Sequence, residues 1–204
     1  MERSCGILLP VFSLPSPYGI GTLGLEARRF VDFLAEAGQS WWQVLPLGPT
    51  GFGDSPYQSF SSFAGNPYLI DPEELREEGL LSSGEIHGLC WGDDPSRVNY
   101  GLLYQNRATL LKSAAERGLR RYSREIDAFR QANRDWLEDY SLFMAIKDKY
   151  GGRPWQQWPE PLRRHDAGAL SEISSALTGE ISFHVFCQYK FFQQYHNLRE
   201  YAGK

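Results

Sequence analysis

The segment Gly48–Tyr68 (GPTGFGDSPYQSFSSFAGNPY) combines small residues with rings, hydroxyls, amides and one carboxylate. Its glycines and prolines interrupt any strand, and its five aromatic residues are unusual for a surface loop. A pyranose presents C–H groups on its face and hydroxyls on its rim, so flat rings beside hydrogen-bonding groups suit it. The segment is therefore interpreted as a sugar-binding loop. Its polar candidates are Asp54, Ser55, Gln58, Ser59, Ser61, Ser62 and Asn66, and its rings are Phe52, Tyr57, Phe60, Phe63 and Tyr68.

Other interpretations of this loop stay open. Phe60 and Phe63 are expected to pack into a core of the loop itself, while Tyr57 or Asp54 faces a cleft. Asp54 could equally cap a turn through its own backbone, as Asp often does before Ser-Pro. The glycines suggest a phosphate-binding loop, but the segment contains neither GxGxxG nor GxxxxGK[ST], so nucleotide binding has little support.

The residues before this loop predict a βαβ unit. Cys5–Val11 and Ser40–Leu47 are short apolar runs bounded by turn residues, and they are interpreted as buried strands. Between them, Gly24–Ala37 places its apolar residues at helical spacing. Such units make parallel strands, and ligands bind where parallel strands end. The loops that leave those ends are Phe12–Thr22, called loop 1 below, and Gly48–Ile70, called loop 2.

The chain after residue 70 is predicted to be mainly helical. Asp71 and Pro72 have the residue types of a helix cap and a first helical position. The Pro-rich segment near residue 155 carries Trp155 and Trp158, for which packing against the helices is favoured over contact with a ligand. Further helices are expected over residues 99–117, 123–150 with a possible break, and 166–201.

Composition argues against several classes of protein. The formal net charge of -4 and the pI near 5.6 argue against a general nucleic-acid binder, which needs clustered Lys and Arg. The N-terminal apolar run, Ile7–Val11, is too short for a signal-peptide core or a membrane span, so a cytoplasmic protein is expected. Three widely separated cysteines without metal-ligand spacing predict no metal site and are interpreted as buried free thiols.

The predicted elements leave an architectural conflict. A (β/α)8 barrel has eight strands and about 250 residues. Only two strands are predicted here, both before residue 48. Two parallel strands leave open edges that a helical region alone would not pair. The chain is therefore expected to be the first part of a larger barrel enzyme.

Four motifs carry a resemblance to a known family. They are GILLPVFSLPSPYGIGTLG (Gly6–Gly24), WWQVLPLGPTGFGDSPYQSFSSFAGNPYLID (Trp41–Asp71), DYSLFMAIK (Asp139–Lys147) and PWQQWP (Pro154–Pro159). Together they resemble the 4-alpha-glucanotransferases, also called amylomaltases or disproportionating enzymes. The resemblance runs from about Ser4 to the last residue.

The resemblance implies an α/β fold, namely the N-terminal part of a (β/α)8 TIM-type barrel with a large inserted helical subdomain. Residues 1–70 would be the first βαβ unit with its substrate-binding loops, and residues 71–204 a mainly helical inserted subdomain leading back to the barrel. The implied reaction transfers a segment of an α-1,4-glucan to the 4-position of a glucan or glucose, with retention of configuration. The implied partners are α-1,4-glucans and maltooligosaccharides, not nucleic acid or membranes, and no cofactor or metal is implied.

Retention requires one carboxylate as nucleophile and another as acid/base. In the family, these groups and a third, stabilising Asp lie on later barrel strands, and no segment of this chain matches them. No catalytic residue is therefore expected in the chain, and the carboxylates are expected C-terminal to Lys204. The last residues, NLREYAGK, resemble the stretch before the family's next barrel strand. The isolated segment is predicted to be inactive.

Substrate contacts are what the resemblance carries over. Tyr57, in the motif GDSPYQ, resembles the family tyrosine that stacks on the sugar next to the scissile bond. Asp54, Ser55 and Gln58 belong to the same binding loop. Stacking would orient the sugar for attack without taking part in bond chemistry.

Two alternatives to a transferase stay open. One is a non-catalytic glucan-binding module that never had the catalytic half. The other is a fragment of a related α-glucan hydrolase, because one site transfers or hydrolyses according to whether a sugar or water reaches the covalent intermediate. Phe52, in place of a tyrosine, and Tyr195, where QW is common, depart from the family pattern.

Overall fold

The computed structural model describes residues 3–51, 53–94 and 96–204. Phe52 therefore lies outside the described residues. In the described chain, a two-stranded parallel sheet is followed by a largely helical region. The strands are β1 (Gly6–Leu8) and β2 (Trp41–Gln43). The helices are α1 (Leu25–Glu36), α2 (Pro72–Glu77), α3 (Ser83–His87), α4 (Tyr100–Arg121), α5 (Ser123–Ala132), α6 (Leu137–Lys149), α7 (Glu160–Arg163), α8 (Ala167–Ala176) and α9 (Thr178–Ala202).

The predicted βαβ unit is confirmed, but its strands are shorter than predicted. β1 and β2 pair in parallel, with Gly6 opposite Trp41. Pro10 and Pro46 follow the strands, and proline has no amide N–H to donate to a ladder. The prediction that both strands are buried is wrong for this chain, since Leu8 and Trp41 are exposed.

Helix α1 packs against the sheet as the crossover of the unit. Ala27 and Leu34 are buried on its inner face. Phe30 meets Trp42 of β2 edge-on, with the ring centroids 5.0 Å apart. Gly38 has a φ of +68° just after the helix, a conformation that glycine adopts without a Cβ clash. The packed crossover holds the carboxyl ends of both strands at one edge of the sheet.

Helix α9 forms the centre of the helical region. It packs against α1, α4, α5 and α6. Its most buried apolar side chains, Val185, Phe186 and Phe191, belong to the same hydrophobic cluster as Ala27 of α1. One core therefore joins the βαβ unit to the helices, and α9 is the element that both share.

The predicted helix over residues 166–201 is two helices, α8 and α9. Leu177 separates them, and its backbone (φ -112°, ψ 24°) departs from helical geometry. The bend places its side chain in a second buried cluster with Ala145 and Trp158. The possible break in the predicted helix 123–150 is confirmed between α5 and α6.

The two tryptophans of the Pro-rich segment have different environments. Trp158 is buried and donates its Nε1–H to the carbonyl oxygen of Arg153 at 3.2 Å. Trp155 is 49% exposed. The packing interpretation is therefore confirmed for Trp158 and not for Trp155.

Capping explains the start of the two short helices after loop 2. Asp71 caps α2 as predicted, and its Oδ1 accepts a hydrogen bond from the Glu74 amide at 3.0 Å. Helix α3 was not predicted, although Ser82 and Glu85 form a capping box at its start. Both helices are short, so their apolar spacing is a weak signal.

The three cysteines differ in their exposure. Cys187 is buried, which raises its thiol pKa, whereas Cys5 and Cys90 are exposed, so the buried-thiol interpretation is wrong for these two.

Within the described ranges, no cluster of His, Cys, Asp and Glu is arranged to hold a metal ion. No helix of the described chain combines the length and hydropathy that a membrane span needs. The cytoplasmic location stays a prediction.

The contact between α4 and α9 gives a test of this architecture. A Cβ at Gly118 of α4 would lie 2.2 Å from a ring carbon of Phe186, whereas a Cβ at Gly179 of α9 would meet nothing within 4 Å. Gly118→Ala is expected to lower the free energy of unfolding by about 1–3 kcal/mol, because it forces overpacking. Gly179→Ala is expected to raise it by up to about 1 kcal/mol through helix propensity. Urea unfolding of both variants measures this, and equal effects would contradict the close α4–α9 packing.

Candidate functional site

Loop 1 and loop 2 meet at the carboxyl ends of the two strands. The Leu23 amide, just after loop 1, donates to the carbonyl oxygen of Leu69 at 2.9 Å. Thr22 Oγ1 donates to Asp71 Oδ2 at 2.5 Å. A Cβ on Gly24 would lie 2.3 Å from the Asp71 carboxyl carbon, so this approach needs glycine. The predicted neighbourhood of the two loops is confirmed.

Loop 2 closes on itself through main-chain hydrogen bonds. The Asn66 amide donates to the carbonyl oxygen of Leu47 at 2.8 Å and joins the two ends of the loop. Inside the loop, the Gly51 amide donates to the carbonyl oxygen of Gln58 at 3.0 Å. Gly51 and residues 53–58 therefore belong to a compact turn, called the inner turn below. Closure of this kind is typical of an Ω-type loop.

The inner turn presents Tyr57 to an open cleft. The Tyr57 side chain is 72% exposed, while its amide donates to Ser55 Oγ at 3.3 Å. The turn thus holds the residue at its backbone and leaves its ring free to stack on a ligand. The cleft has a volume of about 730 Å³, and the residues that line it are Val44, Leu45, Pro46, Leu47, Gly48, Pro56, Tyr57, Ser59, Ser61, Ser62, Phe63, Ala64, Gly65, Phe191, Phe192 and Tyr195.

The other predicted contacts, Asp54, Ser55 and Gln58, are not among the described residues that line the cleft. Asp54 has a φ of +53° and accepts a long hydrogen bond from Thr50 Oγ1, at 3.4 Å. Ser55 accepts hydrogen bonds within the inner turn, and Gln58 is exposed beside Tyr57. This geometry favours the interpretation in which Asp54 shapes a turn.

The Asp54 carboxylate lies near tyrosines behind the inner turn. Burial, followed by the charge of Asp54, raises the pKa of Tyr68 to about 12. The same two causes raise the pKa of Tyr100, at the start of α4. The inner turn is therefore close to both the C-terminal end of loop 2 and the start of α4.

Phe60 and Phe63 do not form the loop core that was expected. Phe60 is 38% exposed, and its ring centroid is 6.1 Å from that of Phe143 on α6. Lys147 Nζ lies 5.6 Å from the Phe60 ring centroid. Phe63 is 66% exposed and stacks with Trp136, with 6.2 Å between centroids. Loop 2 therefore packs against α6 and against Trp136, the residue before that helix.

Two buried glutamines of α9 bind the main chain of loop 2 and of the residue that follows it. Gln188 Oε1 accepts from the Gly65 amide at 2.8 Å, and its Nε2 donates to the Gly65 carbonyl oxygen at 2.9 Å. Gln194 pairs in the same way with the amide and carbonyl of Asp71, at 2.7 and 3.2 Å. Each glutamine thus satisfies both main-chain groups of one residue, as a neighbouring strand would.

Gly65 is needed for this close approach to α9. A Cβ at position 65 would lie 2.0 Å from the ring of Phe191, which packs between the two glutamines along the helix. Any larger residue would push loop 2 away from Gln188. The hydrogen bonds of Gln188 and Gln194 are called the glutamine clamp below, and those of Gln188 require glycine at position 65.

Sequence reasoning did not predict the roles of Gln188 and Gln194. A signal was present in the sequence, because Gln188 and Gln194 stand at helical spacing with the apolar Phe191 and Leu198. The structure shows that all four side chains are buried. Buried side-chain amides need hydrogen-bond partners. The spacing indicates that such partners exist but does not say which main-chain groups they are.

The described lining of the cleft offers rings and hydroxyls to a ligand but no carboxylate, imidazole, thiol, amine or guanidinium. None of the described residues that line it is Asp, Glu, His, Cys, Lys or Arg. Its surface combines Tyr57 and Phe63 with the hydroxyls of Ser59, Ser61 and Ser62. Rings and hydroxyls suit a sugar, in agreement with the interpretation from composition.

The sequence model of a family described as 4-alpha-glucanotransferase matches residues 9–204. The chain belongs to the 4-alpha-glucanotransferase family. The 4-alpha-glucanotransferase of Thermus thermophilus is 50% identical over 206 residues, covering 99% of this chain and 40% of the relative. That of Aquifex aeolicus is 47% identical over 202 residues, covering 98% of this chain and 40% of the relative. This family member therefore spans about 40% of the length of these curated relatives.

Solved structures agree with the family assignment. An amylomaltase from Streptococcus agalactiae in complex with acarbose superposes with a TM-score of 0.96 at 41% identity. The match covers 99% of this 4-alpha-glucanotransferase family chain and 41% of that protein. The amylomaltase from Corynebacterium glutamicum, at 15% identity and a TM-score of 0.69, shows similarity of fold.

The glutamine clamp gives a second test. Gln188→Ala leaves the buried amide and carbonyl of Gly65 without partners, at about 1–3 kcal/mol for each group. We expect the free energy of unfolding to fall by about 2–4 kcal/mol, and the Gly65 amide to exchange hydrogen faster. Gln131→Ala, on the exposed surface of α5, is the matched control and is expected to change stability by less than about 0.5 kcal/mol. Similar losses in the two variants would argue against the clamp.

Proposed function

We propose that the chain is the N-terminal segment of a 4-alpha-glucanotransferase. The complete protein would transfer a segment of an α-1,4-glucan to a new 4-position on an acceptor glucan or glucose, by a retaining double displacement. Membership of the family supports this activity, as do the names of the relatives at up to 50% identity. The proposed partners are α-1,4-glucans and maltooligosaccharides, and the acarbose complex of the Streptococcus agalactiae amylomaltase supports a carbohydrate ligand.

One observation carries the proposal for this segment, namely the exposed ring of Tyr57 at the cleft beyond β2. A tyrosine ring offers a flat apolar face to the C–H face of a glucosyl residue, while its hydroxyl bonds to water or to a sugar hydroxyl. Such stacking orients the sugar, and well-oriented reactants react much faster than freely diffusing ones. Tyr57 is proposed to position the glucosyl residue next to the scissile bond.

The remaining predicted contacts are proposed to support Tyr57. Ser55 accepts the amide hydrogen bond of Tyr57, and Asp54 shapes the same inner turn through its left-handed backbone and its contact with Thr50. Gln58 is exposed next to Tyr57 and offers an amide to a sugar hydroxyl. In this proposal Tyr57 and Gln58 touch the glucan, and Asp54 and Ser55 hold the turn that presents them.

We propose the domain arrangement on the same grounds. Residues 1–70 form the first βαβ unit of a (β/α)8 barrel, and residues 71–204 form a mainly helical subdomain inserted before the next barrel strand. The parallel pair of β1 and β2 with exposed residues, and the 40% coverage of the relatives, support an incomplete barrel. A closed barrel would pair the remaining strand edges.

The catalytic carboxylates are proposed to lie outside this chain. Retaining transfer needs a nucleophile and an acid/base about 5–5.5 Å apart across the scissile bond. The described cleft lining contains no carboxylate. This segment would then bind and orient the glucan, and residues 1–204 alone would be inactive.

Maltotriose distinguishes the proposed function from its alternatives. The complete protein is expected to convert maltotriose into glucose and a ladder of longer oligosaccharides, resolved by chromatography. Its sequence beyond Lys204 is expected to supply three active-site carboxylates. Products that are all shorter than maltotriose would indicate a hydrolase, and binding without turnover would indicate a glucan-binding module. Transfer by purified residues 1–204 would contradict the proposed location of the carboxylates.

Tyr57 can be tested separately in the complete protein. Tyr57→Ala removes the stacking surface, and misplacement of the sugar is expected to lower kcat/KM for transfer by about 10²-fold. Because the side chain is exposed, the free energy of unfolding should change by less than about 0.5 kcal/mol. Tyr57→Phe keeps the ring and serves as the matched control, with kcat/KM near that of the parent. Unchanged kinetics in Tyr57→Ala would remove Tyr57 from the site.

A further inference from the structure

Arg107 of α4 joins the two loops of the candidate site. Its Nη1 donates to the carbonyl oxygen of Ile70, the last residue of loop 2, at 3.1 Å. Its Nη2 donates to the carbonyl oxygen of Tyr18, in loop 1, at 3.2 Å. Both acceptors are main-chain groups, so the contacts respond to the path of each loop and not to its side chains.

The Arg107 guanidinium is held in a buried and nearly fixed position. The residue is 1% exposed, and its guanidinium carbon lies 5.1 Å from the centre of the Trp91 ring. Burial lowers its pKa to about 10, and the Asp71 carboxylate is the largest opposing influence. The group therefore stays protonated at neutral pH, with all of its donors available.

A purely structural role explains this arrangement poorly. A buried charge costs several kcal/mol of desolvation, and well-packed apolar residues often replace buried ionic groups without loss of stability. Arg107 Nε also has no hydrogen-bond partner among the described residues. What arginine adds is a planar fork of donors at fixed separation, which can span two carbonyl groups on different segments.

The end of loop 2 is in turn joined to its start by main-chain hydrogen bonds. The Ile70 amide donates to the Pro67 carbonyl oxygen at 3.3 Å, and the Asn66 amide donates to the Leu47 carbonyl oxygen at 2.8 Å. Movement at Ile70 would therefore reach both ends of the loop that carries the inner turn.

Loop 1 is held by the other arm of the Arg107 guanidinium at its Tyr18 carbonyl, and by Thr22 and Leu23 at its C-terminal end. Loss of Arg107 would therefore free the Tyr18 region of loop 1 while its C-terminal end stays bound.

We propose that Arg107 is a positioning residue of the transferase site, which fixes loop 1 and loop 2 relative to each other and so sets the place of the Tyr57 ring. This inference rests on the proposed function. Arg107 does not touch the glucan and acts only through the main chain of the two loops. Its loss should therefore impair orientation in the bound state more than binding itself, which is seen as a fall in kcat with a smaller change in KM.

The test compares Arg107→Met and Arg107→Lys with Gly118→Ala in the complete protein. Gly118 is also on α4 but contacts Phe186 of α9, away from both loops, so its variant controls for loss of stability alone. Arg107→Met is expected to lower kcat for maltotriose transfer by about 10–100-fold, with KM within about threefold. Arg107→Lys keeps the charge without the fork of donors, and its kcat is expected to lie between those of Arg107→Met and the parent protein. Gly118→Ala is expected to keep the parent kcat at a temperature where it is folded.

Hydrogen exchange supplies a readout that does not depend on activity. Amides of residues 12–22 and 66–71 are expected to exchange faster in both Arg107 variants, by more than in Gly118→Ala, whose exchange reports the loss of stability alone. Unchanged exchange, or faster exchange with an unchanged kcat, would overturn the proposal. If Arg107→Met does not fold, Arg107→Lys decides by the same criteria. If the parent protein shows no transfer, the proposed function fails, and the positioning role fails with it, whatever the exchange of the loops reports.

Discussion

Loop 2 keeps its place because side-chain amides of α9 satisfy its buried main-chain groups. Gln188 and Gln194 each bind the amide and the carbonyl of one residue, Gly65 and Asp71, where a sheet would use a neighbouring strand. Buried main-chain groups without partners cost about 1–3 kcal/mol each. Gly65 lines the cleft, so its pairing with Gln188 holds this part of the cleft wall in place. α9 is thus a structural part of the site although it lies far from it in sequence.

In the proposed enzyme, this arrangement would separate binding from bond chemistry. The described cleft lining offers rings and hydroxyls, which orient a sugar, but no carboxylate, which a retaining mechanism needs twice. In the proposed complete enzyme, the first 204 residues would hold the glucan and later strands would supply the reacting groups. A stacking ring needs only a stable loop, whereas a nucleophile and an acid/base need fixed separation on rigid strands.

The sequence predicted the local elements well and their ends less well. The βαβ unit and the Asp71 cap depend on short-range signals, and both are confirmed. The strands end earlier than their apolar runs, and Leu177 divides a helix that the spacing left continuous. The strands end before Pro10 and Pro46, which cannot donate to a ladder, whereas packing of Leu177 against distant residues accompanies the division of the helix. Distant residues also decided the contacts of Phe60 and Phe63, which pack against Phe143 of α6 and against Trp136.

By itself, the sequence determined the family, the βαβ unit followed by a helical region, and the rings and hydroxyls of loop 2. These follow from motifs and from spacing along the chain. Only the tertiary structure decided which side chain faces the cleft and what holds it there. Gln188 meets Gly65 across 123 residues, and Arg107 meets Tyr18 across 89. Such contacts pair a side chain with a main-chain group, which every residue carries, so the sequence contains no residue type that identifies the partner.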